Sequence, residues 1–156
     1  MRADPKIIDL LNDYLTIELT ASTSYFGQSR MVHHWGYPHL AGKLRELALD
    51  EMRDAESTID RILYCEGVPN LQRLGSVLAG ESPKEVLETI AQSERDTIVW
   101  LNQAVATALA EGDQGTREFL AEKLTREEDH LDWLERQLDA IARLGEAIYL
   151  GEQVRG

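Results

Sequence analysis

The chain has 156 residues, enough for one domain with a substantial core, and its net charge of −12 argues against a nucleic-acid-binding protein because no basic stripe is present. No apolar run approaches the length of a transmembrane helix, which argues against a membrane protein. The single cysteine, Cys65, cannot form an internal disulfide, and the N-terminal residues do not have the pattern of a signal peptide. These features favour a cytoplasmic protein.

The first two predicted helices are joined by a short turn. The first covers about residues 5–35, where Asp4 can act as the cap and Pro5 fits the first helical position. The turn at 36–38 is so short that the second helix, about 39–65, must run back antiparallel. Apolar residues recur every three or four positions along both helices, and each stripe is interrupted by a carboxylate.

A long connection, about 66–82, follows the second helix. Fully extended, it reaches about 50 Å, whereas a helix of this length spans about 40 Å. We therefore predict that the connection crosses the bundle and sets the third helix, about 83–112, parallel to the second. The fourth helix covers about 116–144, and residues 146–152 can form a short fifth helix.

Each long helix carries a glutamate in the middle of its apolar stripe. A buried charge is costly unless something pairs with it. Two of these glutamates are followed three residues later by a second ligand-type residue, which places both side chains on one helix face. Carboxylates with imidazole, projecting inward from four helices, are typical of a two-metal site for iron or manganese. The candidate metal ligands are Glu18, Glu51, Asp54, Glu94, Glu127 and His130.

Other roles are open for each of these residues when it is considered alone. An inward glutamate can form an ion pair with an arginine, for which Arg53, Arg61 and Arg95 are available, and His130 can be a hydrogen-bonded core histidine. Six such residues at one level of a bundle favour the metal site, because arginines on the stripes cannot satisfy them all.

Segments 17–19, 50–52, 61–72 and 127–135 resemble the bacterioferritin family, and the resemblance covers nearly the whole chain. It implies that residues 1–156 form a single, all-α, ferritin-like four-helix bundle with a long crossover between helices 2 and 3 and a short C-terminal fifth helix. It also implies iron storage with ferroxidase activity, in a hollow shell of about 24 subunits.

The resemblance also assigns roles at the metal site, which would hold two iron ions per subunit. Glu51 and Glu127 would bridge the two ions. Glu94 and His130 would complete one ion, while Glu18 and the residue at position 54 would complete the other. Glu18, Glu51, Glu94, Glu127 and His130 would therefore form the catalytic set for Fe(II) oxidation.

Met52 is the candidate haem ligand. Its position alone favours a surface or interface methionine, and the resemblance reverses this. In the family, the methionine after this glutamate binds haem b at the dimer interface, with one sulfur from each subunit, and Met31 would then form a wall of the pocket. A second subunit type and a ferredoxin electron donor for iron release are possible partners.

Asp54 departs from the family, in which this position is typically histidine. Five carboxylates facing two Fe(II) ions would leave the site one unit negative and would raise the pKa of at least one carboxyl in the empty site. The alternative function is therefore a haem-binding shell subunit with an impaired ferroxidase site, acting in storage or electron transfer beside a more active chain.

Two other functions are disfavoured by the sequence, and several side chains have no assigned role. A rubrerythrin-like peroxidase is disfavoured because no Cys-x-x-Cys is present, and a DNA-protecting mini-ferritin because no basic tail is present. Tyr25 and Trp133 could supply electrons to the centre or belong to the core. A group of histidines near the first turn is either solvated or a surface metal site: His33, His34 and His39.

Overall fold

The computed structural model describes residues 1–156 as five helices with no strand. Their bounds are α1 Pro5–His34, α2 Pro38–Tyr64, α3 Pro83–Ala110, α4 Gln114–Leu144 and α5 Glu146–Glu152. The predicted helices are confirmed, with ends that differ by only one or two residues. None of the helices combines the length and the apolar character that a membrane span requires.

Local sequence signals explain where the helices start. The Asp4 side chain accepts a hydrogen bond from the Lys6 amide at 2.8 Å and acts as the predicted cap. The Ser82 side chain caps α3 in the same way by accepting one from the Glu85 amide. Gly36, with φ of 99°, occupies the left-handed conformation between α1 and α2 that favours glycine. The chain therefore reverses within three residues, and α1 packs along α2.

The connection between α2 and α3 runs along α1. Near its start, Asn12 on α1 donates a hydrogen bond to the carbonyl oxygen of Val68 and accepts one from the Asn70 amide. Near its end, the Gly80 amide donates to the side chain of Gln28. Asn12 and Gln28 are sixteen residues apart on α1, which corresponds to about 24 Å along the helix axis. The connection thus crosses the bundle as predicted, and α3 runs parallel to α2.

The core consists of two apolar clusters separated by a polar layer. One cluster contains Tyr25, Leu44, Leu87 and Leu134, and the other contains Leu15, Ala55, Leu101 and Leu120. On each long helix the candidate ligands lie between the positions that contribute to the two clusters. The fold therefore brings ionisable side chains from four helices to one level and surrounds them with apolar packing.

Candidate metal centre

Four of the six predicted ligands converge in the polar layer. Glu51 from α2, Glu94 from α3 and Glu127 and His130 from α4 each offer one ligand atom, and these atoms all lie within 4.8 Å of one another. The Nδ1 atom of His130 lies 3.4 Å from Glu51 Oε1, 3.6 Å from Glu127 Oε2 and 3.9 Å from Glu94 Oε1. Metal–ligand bonds of about 2 Å place ligand atoms about 3–4 Å apart, so the spacing suits one ion.

Several polar atoms of this cluster are buried without a hydrogen-bond partner. They include Glu51 Oε1, Glu94 Oε2, Glu127 Oε1 and His130 Nδ1. A buried acceptor without a donor is costly, and native structures contain few of them. A cation bound among these atoms would satisfy them together, so the residues present fit a metal ion.

The pKa values in the cluster reflect burial and mutual contact. Burial raises the pKa of Glu51 and of Glu94 well above the usual range, and the nearby Glu127 raises both further. Burial alone would raise the pKa of Glu127, but close polar contact with Glu94, His130 and Glu51 lowers it to about 2. Burial opposes charge on His130, yet the adjacent Glu127 carboxylate and the negative charges of Glu94 and Asp50 raise its pKa to about 9. Without metal, the centre therefore holds protons that a bound cation must displace.

Two side chains outside the predicted ligand set support it. Asp50 Oδ2 lies 3.4 Å from His130 Nε2. This is the ring nitrogen on the side opposite the three glutamates of the cluster. The Tyr25 hydroxyl donates a hydrogen bond to Glu94 Oε1 at 2.7 Å. Such contacts fix the orientation of metal ligands. Asp50 was not predicted as a site residue, although it stands next to Glu51 in a segment that carries the family resemblance.

Glu18 and Asp54 lie at the same level but in different surroundings. Both oxygens of Glu18 are buried without a hydrogen-bond partner, and burial raises the pKa of this carboxyl while the positive charge of Lys123 opposes the shift. The nearby Thr58 hydroxyl donates to the backbone carbonyl of Asp54. Asp54 Oδ1 lies 3.2 Å from Lys123 Nζ and 3.1 Å from Arg126 Nε. Asp54 is thus engaged by two cations.

Lys123 is a second site residue that sequence reasoning missed. It lies four residues before Glu127 and therefore on the same face of α4, and it is buried. A lysine at a stripe position next to carboxylate positions was the available signal. The arginines considered as partners for the inward glutamates pair elsewhere: Arg53 with Asp50, Arg61 with Asp113 and Arg95 with Glu135.

The remaining candidates lie outside the cluster. Met52 is 48% exposed on α2. Trp133 is partly buried and packs against the apolar cluster that includes Tyr25. The histidines near the first turn do not join a group of metal ligands: His33, His34 and His39.

Comparison with known proteins identifies the family. Residues 8–144 match the ferritin-like domain. The chain is 38% identical to bacterioferritin BfrA of Mycobacterium tuberculosis over 99% of this chain and 97% of that protein. It is 40% identical to bacterioferritin of Streptomyces coelicolor over 96% of this chain and 90% of that protein. This chain belongs to the bacterioferritin family.

Solved structures agree with this membership. The crystal structure of BfrA from Mycobacterium tuberculosis superposes with a TM-score of 0.96 at 38% identity, covering 99% of this chain and 96% of that one. A mycobacterial bacterioferritin structure superposes with a TM-score of 0.97 at 37% identity, covering 99% and 96%. The predicted ferritin-like bundle and the resemblance are thus confirmed. Membership of the bacterioferritin family supports iron storage and implies iron and haem binding in an oligomeric shell.

Proposed function

We propose that this chain stores iron by binding Fe(II) in the polar layer, oxidising it there and releasing the ferric product into the cavity of a shell. The observation that carries the proposal is the convergence of Glu51, Glu94, Glu127 and His130 within 4.8 Å. Fe(II) is the substrate, and an oxidant such as dioxygen takes one electron from each ion.

The residues of the centre suit this chemistry. Anionic oxygen ligands favour the more highly charged Fe(III) over Fe(II) and so promote loss of the electron. The Asp50 carboxylate holds the His130 ring so that Nδ1 faces the ion. If two Fe(II) ions bind, Glu51 and Glu127 would contact both of them, and Glu18 and Asp54 would complete the second.

Haem binding and assembly complete the proposal. The exposed side chain of Met52 leaves its sulfur free to meet the equivalent sulfur of a second subunit across a two-fold axis. Haem b bound there would supply a redox centre at the dimer interface. We propose a cytoplasmic shell of about 24 subunits, with a ferredoxin as electron donor for iron release.

The test is the rate of Fe(II) oxidation by Glu127→Ala. This change removes a ligand that the proposal places in contact with the ions, so the rate should fall by about tenfold or more. Glu128→Ala is the matched control, since Glu128 is the exposed neighbour on the same helix. Ferric absorbance after mixing with Fe(II) in air reports the rate. Oxidation at the parental rate by Glu127→Ala would overturn the proposed centre.

A second candidate is the haem-binding shell subunit with an impaired ferroxidase site. The observation that favours it is the contact of Asp54 with Lys123 and Arg126, which draws this carboxylate away from metal binding. Shells of this chain alone would then oxidise Fe(II) slowly although they bind haem. Rapid oxidation by such shells would exclude this candidate.

A further inference from the structure

The polar layer contains a buried cation supplied by the protein itself. Lys123 Nζ lies 3.2 Å from Asp54 Oδ1, and the exposed fractions of the two side chains are 7% and 3%. The same ammonium donates a hydrogen bond to the Ser57 hydroxyl. Arg126 Nε lies 3.1 Å from the same Asp54 oxygen. An isolated buried ammonium is strongly disfavoured, and these contacts stabilise the charge of Lys123 in the interior.

The ammonium lies beside one of the two carboxylates that would hold the second substrate ion. Glu18 and Asp54 are the two carboxylates that would complete the second iron. Lys123 is in contact with Asp54, the partner of Glu18 in that proposed site. A divalent cation bound between Glu18 and Asp54 would therefore meet the ammonium in a poorly solvated interior, where like charges repel strongly.

The charge count agrees with this conclusion when all five carboxyl groups are ionised. The layer contains five carboxylates, and the combined charge of Lys123 and Arg126 equals that of one divalent ion. With one divalent ion bound and His130 neutral, the set is one unit negative. Five carboxylates with two divalent ions and no other cation would have the same net charge.

We infer that the Lys123 ammonium takes the place of the second metal ion, so that the centre binds one divalent cation per subunit, held by Glu51, Glu94, Glu127 and His130. The inference rests on the proposed function, since it takes this cluster as the metal site. A centre that holds one ion cannot oxidise two Fe(II) ions together, and the inference therefore favours the impaired-ferroxidase candidate.

The test is a Co(II) titration of the metal-free, assembled protein, followed by the visible absorbance of protein-bound Co(II). A Glu127→Ala sample, titrated in parallel, measures Co(II) that binds outside the centre. After this subtraction, the parent should saturate at one Co(II) per chain. Saturation at two would overturn the inference and leave the proposed function standing, whereas no binding within the centre would overturn both.

Two variants test whether Lys123 is the cause. Asp54→His alone keeps the ammonium and should still saturate at one Co(II). Asp54→His combined with Lys123→Met supplies an imidazole and removes the ammonium, while the half-exposed Arg126 can turn to solvent. This double variant should saturate at two, and a folded double variant that saturates at one would overturn the role of Lys123. Anomalous scattering at the cobalt edge from parent crystals checks the count without any variant: one peak supports the inference, and two peaks overturn it.

Discussion

Replacing Lys123 by Met should destabilise the metal-free protein by about 3 kcal/mol. The Lys123–Asp54 pair is almost fully buried, with side-chain exposures of 7% and 3%, so the figure of about 0–1 kcal/mol for surface pairs does not apply. Removing one partner of a buried pair costs about 3–5 kcal/mol, because the other charge is left behind. Arg126 remains 3.1 Å from Asp54 but is 42% exposed, and its partial compensation places the cost at the lower end.

Thermal unfolding followed by circular dichroism, with a chelator present, measures this effect. For a chain of this size, 1 kcal/mol corresponds to about 2–4 °C in Tm, so Lys123→Met should lower Tm by about 6–12 °C. Lys43→Met is the matched control, because Lys43 lies 3.7 Å from Glu46 in an exposed pair. It should lower Tm by less than about 4 °C. Equal shifts in the two variants would refute the argument from burial.

Three further outcomes test the centre and the haem site. Met52→Leu should abolish the haem Soret band while the shell elutes unchanged in gel filtration, since leucine keeps the volume but lacks the sulfur. Tyr25→Phe removes the hydroxyl that donates to Glu94 at 2.7 Å, and Co(II) affinity should fall by about tenfold. Metal binding at pH 7 should release protons, because the pKa of His130 is raised to about 9 and that of Glu51 is also raised. Isothermal titration calorimetry in buffers of different ionisation enthalpy measures the number of protons released. The proton from His130 should no longer contribute above pH 9, where the imidazole is already neutral.

The fold could be predicted almost completely from the sequence, because the signals that set it are local. Asp4 and Ser82 mark helix starts through side-chain caps that need no tertiary information. The direction of α3 followed from the length of the connection at 66–82, which is long enough to cross the bundle. The path of that connection along α1 could not be predicted, since it depends on hydrogen bonds from side chains such as Asn12 and Gln28.

For the site, helical periodicity could predict only which side chains face the interior of the bundle. Periodicity placed Glu51, Glu94 and Glu127 on inward faces, and the structure brings their ligand atoms together with His130. It does not say which inward side chains pair with one another. Lys123 has the spacing of an inward residue, but a long lysine side chain can also reach solvent from such a position. Only the packed structure shows that it is buried against Asp54.

Asp54 and Lys123 have to be interpreted as a pair. An aspartate at position 54 adds a negative charge to a crowded site, and a lysine at 123 buries an ammonium; each would be costly alone, and each offsets the other. Considered by itself, Asp54 stands where the family typically has a histidine, and Asp54→His would be expected to restore the usual ligand. The structure predicts otherwise, because this change leaves the ammonium beside an imidazole and without its carboxylate partner.

Asp54→His should therefore lower Tm by an amount similar to that of Lys123→Met, and its Fe(II) oxidation should be no faster than that of the parent. Adding Lys123→Met to Asp54→His should recover much of the lost stability, because the two substitutions remove one interaction and the double variant no longer buries an unpaired charge. Melting curves of the single and double variants, with the oxidation rate measured on the same samples, check both statements. Faster oxidation by Asp54→His alone would show that Lys123 moves aside when metal arrives, and that the ammonium does not limit the centre.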